Sequence, residues 1–257
     1  MGNTAYTETL ELAGRIIMEN GGETYRVEET ITRMGRALGL DHVESFAVPS
    51  GVFISYRRDG QSESAIIRVR RKGTNLSRID RVNHVSRCVE SGAMDVEAAL
   101  TQLRAIEHSA PQLGAVPVAA LAGVSSGAFA VMFGGNAVDC VVALVVAAAV
   151  HLLGGWLEKY RITGFMQTMI GGFFTALLPM LFHSLTAMGS TFAMIAGALM
   201  PLVPGLAFTN GIRDIANGDY LSGPVRMIDA VLVFVSIAAG VGLVIGIYNM
   251  LTGGVLI

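Results

Sequence analysis

Apolar positions along the chain follow three rhythms. Over residues 4–20, Leu10, Ala13 and Ile17 recur at three- and four-residue steps, while Glu8, Glu11, Arg15 and Glu19 occupy the other faces. That spacing predicts a half-buried helix, ended by Gly21-Gly22. Val27, Ile31, Met34 and Leu38 repeat it over Glu23–Leu38, with Gly39 placed as a C-cap. The period then shortens. Val43–Val48, Val52–Arg57 and Ser64–Arg71 are brief, rich in Val, Ile and Phe, and separated by Pro49-Ser50-Gly51 and Asp59-Gly60. They predict a three-stranded antiparallel meander with turn chemistry at each corner. Ser77–Glu90 and Asp95–Ile106 return to helical spacing around Ser91-Gly92. The order ααβββαα is that of a small α+β domain over residues 1–110, with Pro111 at its end.

Beyond that point the rhythm gives way to long apolar windows. A helix needs about 20 apolar residues to cross ~30 Å of hydrocarbon. Ala115–Phe133, Cys140–Leu157, Phe165–Leu185, Thr191–Thr209 and Ile228–Leu251 each qualify, which predicts a transmembrane domain of five helices over residues 111–257. The turns between them are short, except for Asn210–Met227.

Composition sharpens this division. The chain of 257 residues is 52% hydrophobic and 15% charged, but the charges are not shared evenly. Residues 1–110 carry 14 Lys/Arg and 15 Asp/Glu, whereas residues 111–257 carry 4 and 5. Nine charges cannot solvate the surface of a soluble domain of that size, so a wholly soluble protein is excluded. A net charge of −2 and a pI near 6.2 leave no basic footprint for nucleic acid. Met1 to Gly22 has neither a basic leader nor an apolar core, so no cleavable signal peptide is read there. Cys88 and Cys140 do not make a disulfide framework.

Cation placement predicts the orientation. With residues 1–110 in the cytoplasm and five crossings, Lys159, Arg161, Arg213 and Arg226 all fall in loops returning to the cytoplasm. All 18 basic residues then share one side. The expected fold is a multi-pass α-helical membrane protein with five transmembrane helices, N-terminus in and C-terminus out, carrying an N-terminal cytoplasmic α+β domain. Trp156 and Tyr160 flank the second span where an aromatic belt belongs. An odd span count means that a related unit following the first would insert upside down, the inverted repeat of many alternating-access transporters. Such a unit would come from another polypeptide or another copy. Gly123 and Gly127, and Gly242 and Gly246, stand four apart as in close-packed membrane helices.

Candidate chemistry is concentrated in few residues. There is no phosphate loop, no His-Glu-x-x-His, no Gly-x-Ser-x-Gly and no zinc-type cysteine pair, so no catalytic set, metal or cofactor is expected. Asp139 opens the second span after Gly134-Gly135-Asn136. An acid in a span usually faces a polar cavity; the alternative is a helix-capping acid favoured by the dipole. Met200-Pro201-Leu202-Val203-Pro204-Gly205 interrupts the fourth span. Each proline removes a backbone donor, and an unwound backbone in lipid is tolerated only where protein or a polar cavity satisfies it. Broken helices of this kind bind solutes in transporters, the alternative being a simple kink. Asn210-Gly211-Ile212-Arg213-Asp214 follows at the inner mouth of that span, where Arg213 and Asp214 guide a solute, form a gating salt bridge, or merely set topology. The Arg68–Lys72 cluster is read either as a headgroup contact or as a charged strand edge.

These residues resemble a known family. Gly21-Gly22-Glu23-Thr24-Tyr25-Arg26-Val27-Glu28-Glu29-Thr30 is similar to the opening signature of the threonine/serine exporter family. Pro49-Ser50-Gly51, Phe133-Gly134-Gly135-Asn136 with Asp139, Pro201 to Gly205, and Asn210 to Asp214 match in order along the whole chain. The resemblance implies either a fused protein of about ten spans or a split one, and this chain looks like the larger subunit of the split type. It implies export of threonine and serine or, in the split type, of succinate. Glu23, Tyr25 and Arg26 belong to the cytoplasmic motif, read either as a contact between the domain and the transport core or as a helix start with an internal ion pair.

The expectation is therefore a non-enzymatic secondary exporter in the inner membrane. It would be proton-coupled, with Asp139 or Asp214 as the protonated switch, and would work with a small membrane subunit that supplies the inverted half. A homo-oligomer is an alternative assembly. The alternative function is a membrane-anchored regulatory or ligand-binding protein whose cytoplasmic domain senses a metabolite.

Overall fold

The structure, a computed structural model, describes residues 2–69, 73–110 and 113–252. Arg70, Arg71 and Lys72 of the basic cluster, Pro111, and residues 253–257 lie outside the described residues. Two compact units are present: Met1–Ala110 with Leu206–Ile228, and Pro111–Gly205 with Asp229–Ile257.

The first unit begins with helices α1 (Gly2–Glu19) and α2 (Thr24–Ala37), followed by strands β1 (Asp41–Val48), β2 (Gly51–Arg58) and β3 (Gln61–Arg68). The strands form an antiparallel sheet in the order β1-β2-β3. Helices α3 (Leu76–Glu90) and α4 (Val96–Glu107) complete the ααβββαα order. One sheet face buries Val52, Ile54 and Tyr56 against Leu10, Ile17, Val27, Ile31 and Met34 of α1 and α2. Alternation along β2 therefore reads directly as inside and outside. Asn75 and Asp95 cap α3 and α4 by accepting from the Arg78 and Ala98 amides. The cross-strand row Phe46, Phe53 and Ile66 occupies the other, more exposed face.

The second unit contains α5 (Ala115–Met132), α6 (Ala137–Lys159), α7 (Gly164–Thr186) and α8 (Thr191–Leu199), the last ending in a 3₁₀ turn at Met200–Leu202. Then come α9 (Gly205–Ala216) and α10 (Ser222–Thr252). Helices α5, α6, α7 and α10 are long and apolar enough to cross a membrane. Among the described residues a fifth candidate crossing is present only if α8 and α9 count as one broken span.

Glycines set the closest helix approaches. A Cβ at Gly123 would fall 2.6 Å from the Leu144 carbonyl oxygen, and one at Gly127 would fall 3.0 Å from that of Cys140. The first glycine pair thus seats α5 on α6, as its spacing predicts. The second pair behaves differently, since Cβ atoms at Gly242 and Gly246 would meet open space. Gly240 is crowded instead: its Cβ would fall against the Met169 carbonyl oxygen of α7.

Three expectations are corrected in detail. Asn210–Met227 is not a loop, because α9 runs through Asn210 and Asp214 and α10 begins at Ser222. Asn210, Gly211 and Asp214 share a buried face, and that packing sustains a helix where charge density predicts a connection. The same segment clusters with residues 1–110 rather than with the other apolar helices. The third strand begins at Gln61 instead of Ser64 and ends at Arg68, Arg70 and Arg71 of its expected end lying outside the described residues.

Candidate functional site

Sequence reasoning singled out residues that fall into three separate settings. The first is the helix interruption. Proline disfavours helical backbone at the residue before it, and Val203, just before Pro204, is extended at φ −67°, ψ 126°. Pro201 sits in the 3₁₀ turn, where its missing N–H costs no bond. The chain re-enters a helix at Gly205, where a Cβ would meet nothing within 4 Å.

The second setting lies at the start of α6. Asn136 Oδ1 accepts from the Val138 and Asp139 amides, and Asp139 Oδ2 accepts from the Asn136 amide at 2.8 Å, a reciprocal capping box. Asp139 Oδ1 accepts from the Ser190 amide at 2.7 Å, 51 residues along the chain. Gly135 and Gly189 make room for this: a Cβ at Gly189 would fall 2.1 Å from Asp139 Oδ1. The Asp139 carboxylate is 1% exposed, and each oxygen accepts a backbone N–H. It ties the start of α6 to the start of α8. Asp139 and the interruption are therefore at opposite ends of α8 and its 3₁₀ turn, about 20 Å apart by helix rise.

The third setting is in the charged unit. Gly21 is left-handed at φ +89°, and a Cβ at Gly22 would fall 2.2 Å from Ile17 Cγ2, so the turn between α1 and α2 requires both glycines. That tight turn presents its carbonyls to the segment Leu206–Ile228. Asn210 Nδ2 donates to the Gly21 carbonyl at 3.1 Å, and Arg226 Nη2 donates to the Gly22 carbonyl at 2.8 Å. Glu23, at the N-cap of α2, is ion-paired with Arg26 at 3.0 Å and with Arg213 of α9. Arg226 Nε faces Asp214 Oδ2 at 3.0 Å. Ser222 Oγ donates to the Ala47 carbonyl at 3.3 Å, and the Ala47 amide donates to Glu28 at 2.8 Å.

Glu23, Arg26, Asn210, Arg213 and Asp214 are thus brought together, and Arg226, Glu28, Asp219 and Ser222 join them. Tyr25, the third residue expected from the motif, faces outward on α2 and is 37% exposed. Sequence reasoning read Arg226 only as a topology signal. Its partners lie 12 to 208 residues away along the chain, beyond any local pattern.

Charge in this cluster responds to burial. Burial pushes the Glu28 carboxyl above its ordinary value, partly offset by the Ala47 N–H it accepts. Burial also acts on Asp219, but donors from Ser222, Thr24 and Leu221 outweigh it and hold that carboxyl below its ordinary value. Among the described residues no group of three or more His, Cys, Asp or Glu could hold a metal ion.

Comparison with known proteins places this architecture. The threonine/serine exporter family model matches residues 8–248. The chain is 26% identical over 257 residues to the "Probable succinate transporter subunit YjjP" of Escherichia coli, covering 96% of each chain. It is 28% identical over 183 residues to the "Threonine/serine exporter" of Corynebacterium glutamicum, covering 69% of this chain and 37% of that one. Against the "Probable threonine/serine exporter" of Mycobacterium tuberculosis it is 24% identical over 238 residues, covering 91% of this chain and 44% of that one. No solved structure matches it. With the family's model running from α1 into α10, the chain belongs to the threonine/serine exporter family.

Proposed function

We propose that the chain is the larger component of a secondary exporter that moves small hydrophilic metabolites, threonine and serine or a dicarboxylate such as succinate, out of the cytoplasm. The observation that carries this reading is the helix interrupted between Leu202 and Gly205. In lipid such a break needs a polar cavity or protein around it, and transporters bind solutes there. Five spans follow if α8 and α9 form one interrupted crossing, with the N-terminal domain in the cytoplasm of a cell bounded by the inner membrane.

Pro201, Pro204 and Gly205 make the break. Asn210, Arg213 and Asp214 of α9 meet Gly21, Glu23 and Arg226 within the first unit. Protonation of Asp214 would release its pull on Arg226, which makes it the coupling acid of choice. Asn136 and Asp139 hold the ends of α6 and α8 in register rather than carrying the proton. The second half comes from a small membrane subunit. The relatives support that: one named a subunit matches this chain end to end, whereas two exporters extend far beyond it.

The test is export from cells preloaded with threonine, serine or succinate, with and without the small subunit. Pro204→Ala should abolish export while leaving the amount of membrane protein unchanged. Normal export by that variant would remove the broken helix from the mechanism. Flux in liposomes that hold the purified chain together with the small subunit also separates an exporter from a membrane-anchored sensor.

A further inference from the structure

A cleft of about 450 Å³ opens in the charged unit, with Thr24, Tyr25, Glu28, Phe46, Asp214 and Asp219 among the residues that line it. That volume is within the range of small-molecule sites. Among the described residues its lining contains three carboxylates and no cation. Arg26 and Arg213 are turned to Glu23, and Arg226 is turned to Asp214, so the nearby arginines stand outside the cleft.

The Asp214 and Glu28 carboxylates are only half satisfied. Asp214 is 1% exposed; one oxygen faces Arg226 and the other, Oδ1, makes no hydrogen bond. The Thr24 hydroxyl, equally buried, neighbours both Asp214 and Asp219, yet it carries a single proton and can donate to one of them at a time. Glu28 uses Oε1 for the Ala47 amide, and Asp219 uses Oδ1 for those of Leu221 and Ser222. A buried carboxylate oxygen without a donor is costly, and a bound cation removes that cost. Tyr25 and Phe46 add aromatic faces, which attract a cation. A dianion such as a dicarboxylate would meet the like charges of Glu28 and Asp219 there, with Arg226 already held by Asp214.

We infer that this cleft binds a small molecule through a primary ammonium group set between Asp214, Asp219 and Glu28, with Tyr25 and Phe46 against its carbon skeleton. Two kinds of molecule carry that chemistry: an amino acid that is itself moved, and a polyamine acting as an effector. Binding by the chain on its own does not depend on the export reading, so the two fail separately. Export can be absent while the cleft still binds, or the reverse.

Titration calorimetry on the purified full chain in detergent tests this with spermidine, L-threonine, N-acetyl-L-threonine and succinate. At least one of the first two binds, and the last two, lacking an ammonium group, do not. Glu28→Gln keeps an acceptor for the Ala47 amide, and Tyr25→Ala removes only a half-exposed ring; each weakens binding about tenfold or more without changing the thermal unfolding midpoint downward. Binding of L-threonine marks the site as one for the moved solute, and binding of spermidine alone marks it as an effector site. The inference is overturned if neither amine binds, if succinate or N-acetyl-L-threonine binds as tightly, or if both variants bind like the parent chain.

Discussion

Arg213 of α9 is ion-paired with Glu23, the residue that starts α2, across 190 positions of sequence. Glu23 is 8% exposed and shared with Arg26, so its single carboxylate is the common partner of two guanidinium groups. Glu23→Gln leaves those two cations adjacent with no countercharge. Because Arg213 is half exposed, water screens part of the effect, and a loss of about 1–2 kcal/mol is expected. The double variant Glu23→Gln, Arg213→Ala should unfold at a temperature close to that of Glu23→Gln alone. A loss equal to the sum of the two single variants would show that the pair is not coupled.

Asp139→Asn should act on stability before it acts on transport. An asparagine can accept one of the two backbone N–H groups that Asp139 now accepts, and its amide nitrogen opposes the other. The expected loss is about 1–3 kcal/mol. Thermal unfolding of the purified variant, read beside export per molecule of membrane protein, separates the roles. An unchanged midpoint with abolished export would return Asp139 to the coupling mechanism.

Two glycines of α10 should respond in opposite ways to alanine. Gly240→Ala drives a methyl group into the backbone of α7, where the Met169 carbonyl oxygen and the Phe173 amide nitrogen are nearest. Losses of about 2 kcal/mol or more are expected from such overpacking. Gly242→Ala meets open space and should leave the chain unchanged or more stable by up to about 1 kcal/mol, from helix propensity. Unfolding midpoints of the two purified variants check this directly.

Glu28 gives a pH signature. Its folded carboxyl titrates above its ordinary value, so its contribution to stability is fully present below about 4.5 and is lost as pH rises through the folded value. Glu28→Gln removes that titration while keeping the acceptor for Ala47. The variant should therefore melt higher than the parent at pH 7, by roughly 1–3 °C, and the gap should close as pH falls toward 4.5. A gap that widens on acidification would mean that Glu28 is held below its ordinary value instead. Asp219 has the opposite sign, contributing stability above about 3.8 that is lost as pH falls.

The sequence by itself determined what depends on near neighbours. Period two over Val52, Ile54 and Tyr56 makes a strand with one buried face, and glycines four apart in α5 make a close helix contact. Pro204 disfavours helical backbone at Val203, which is extended. Only the tertiary structure decided what depends on distant partners. Nothing near Asp139 in the sequence tells that its second oxygen accepts the Ser190 amide, 51 residues away. Asn210 to Asp214 could have been a solvated loop until Gly21, Gly22 and Glu23 were found to receive that segment through Asn210, Arg213 and Arg226. The physical reason is the same in both cases. Local geometry sets backbone torsions, whereas a buried charge takes its role from whichever donor or countercharge the fold brings to it.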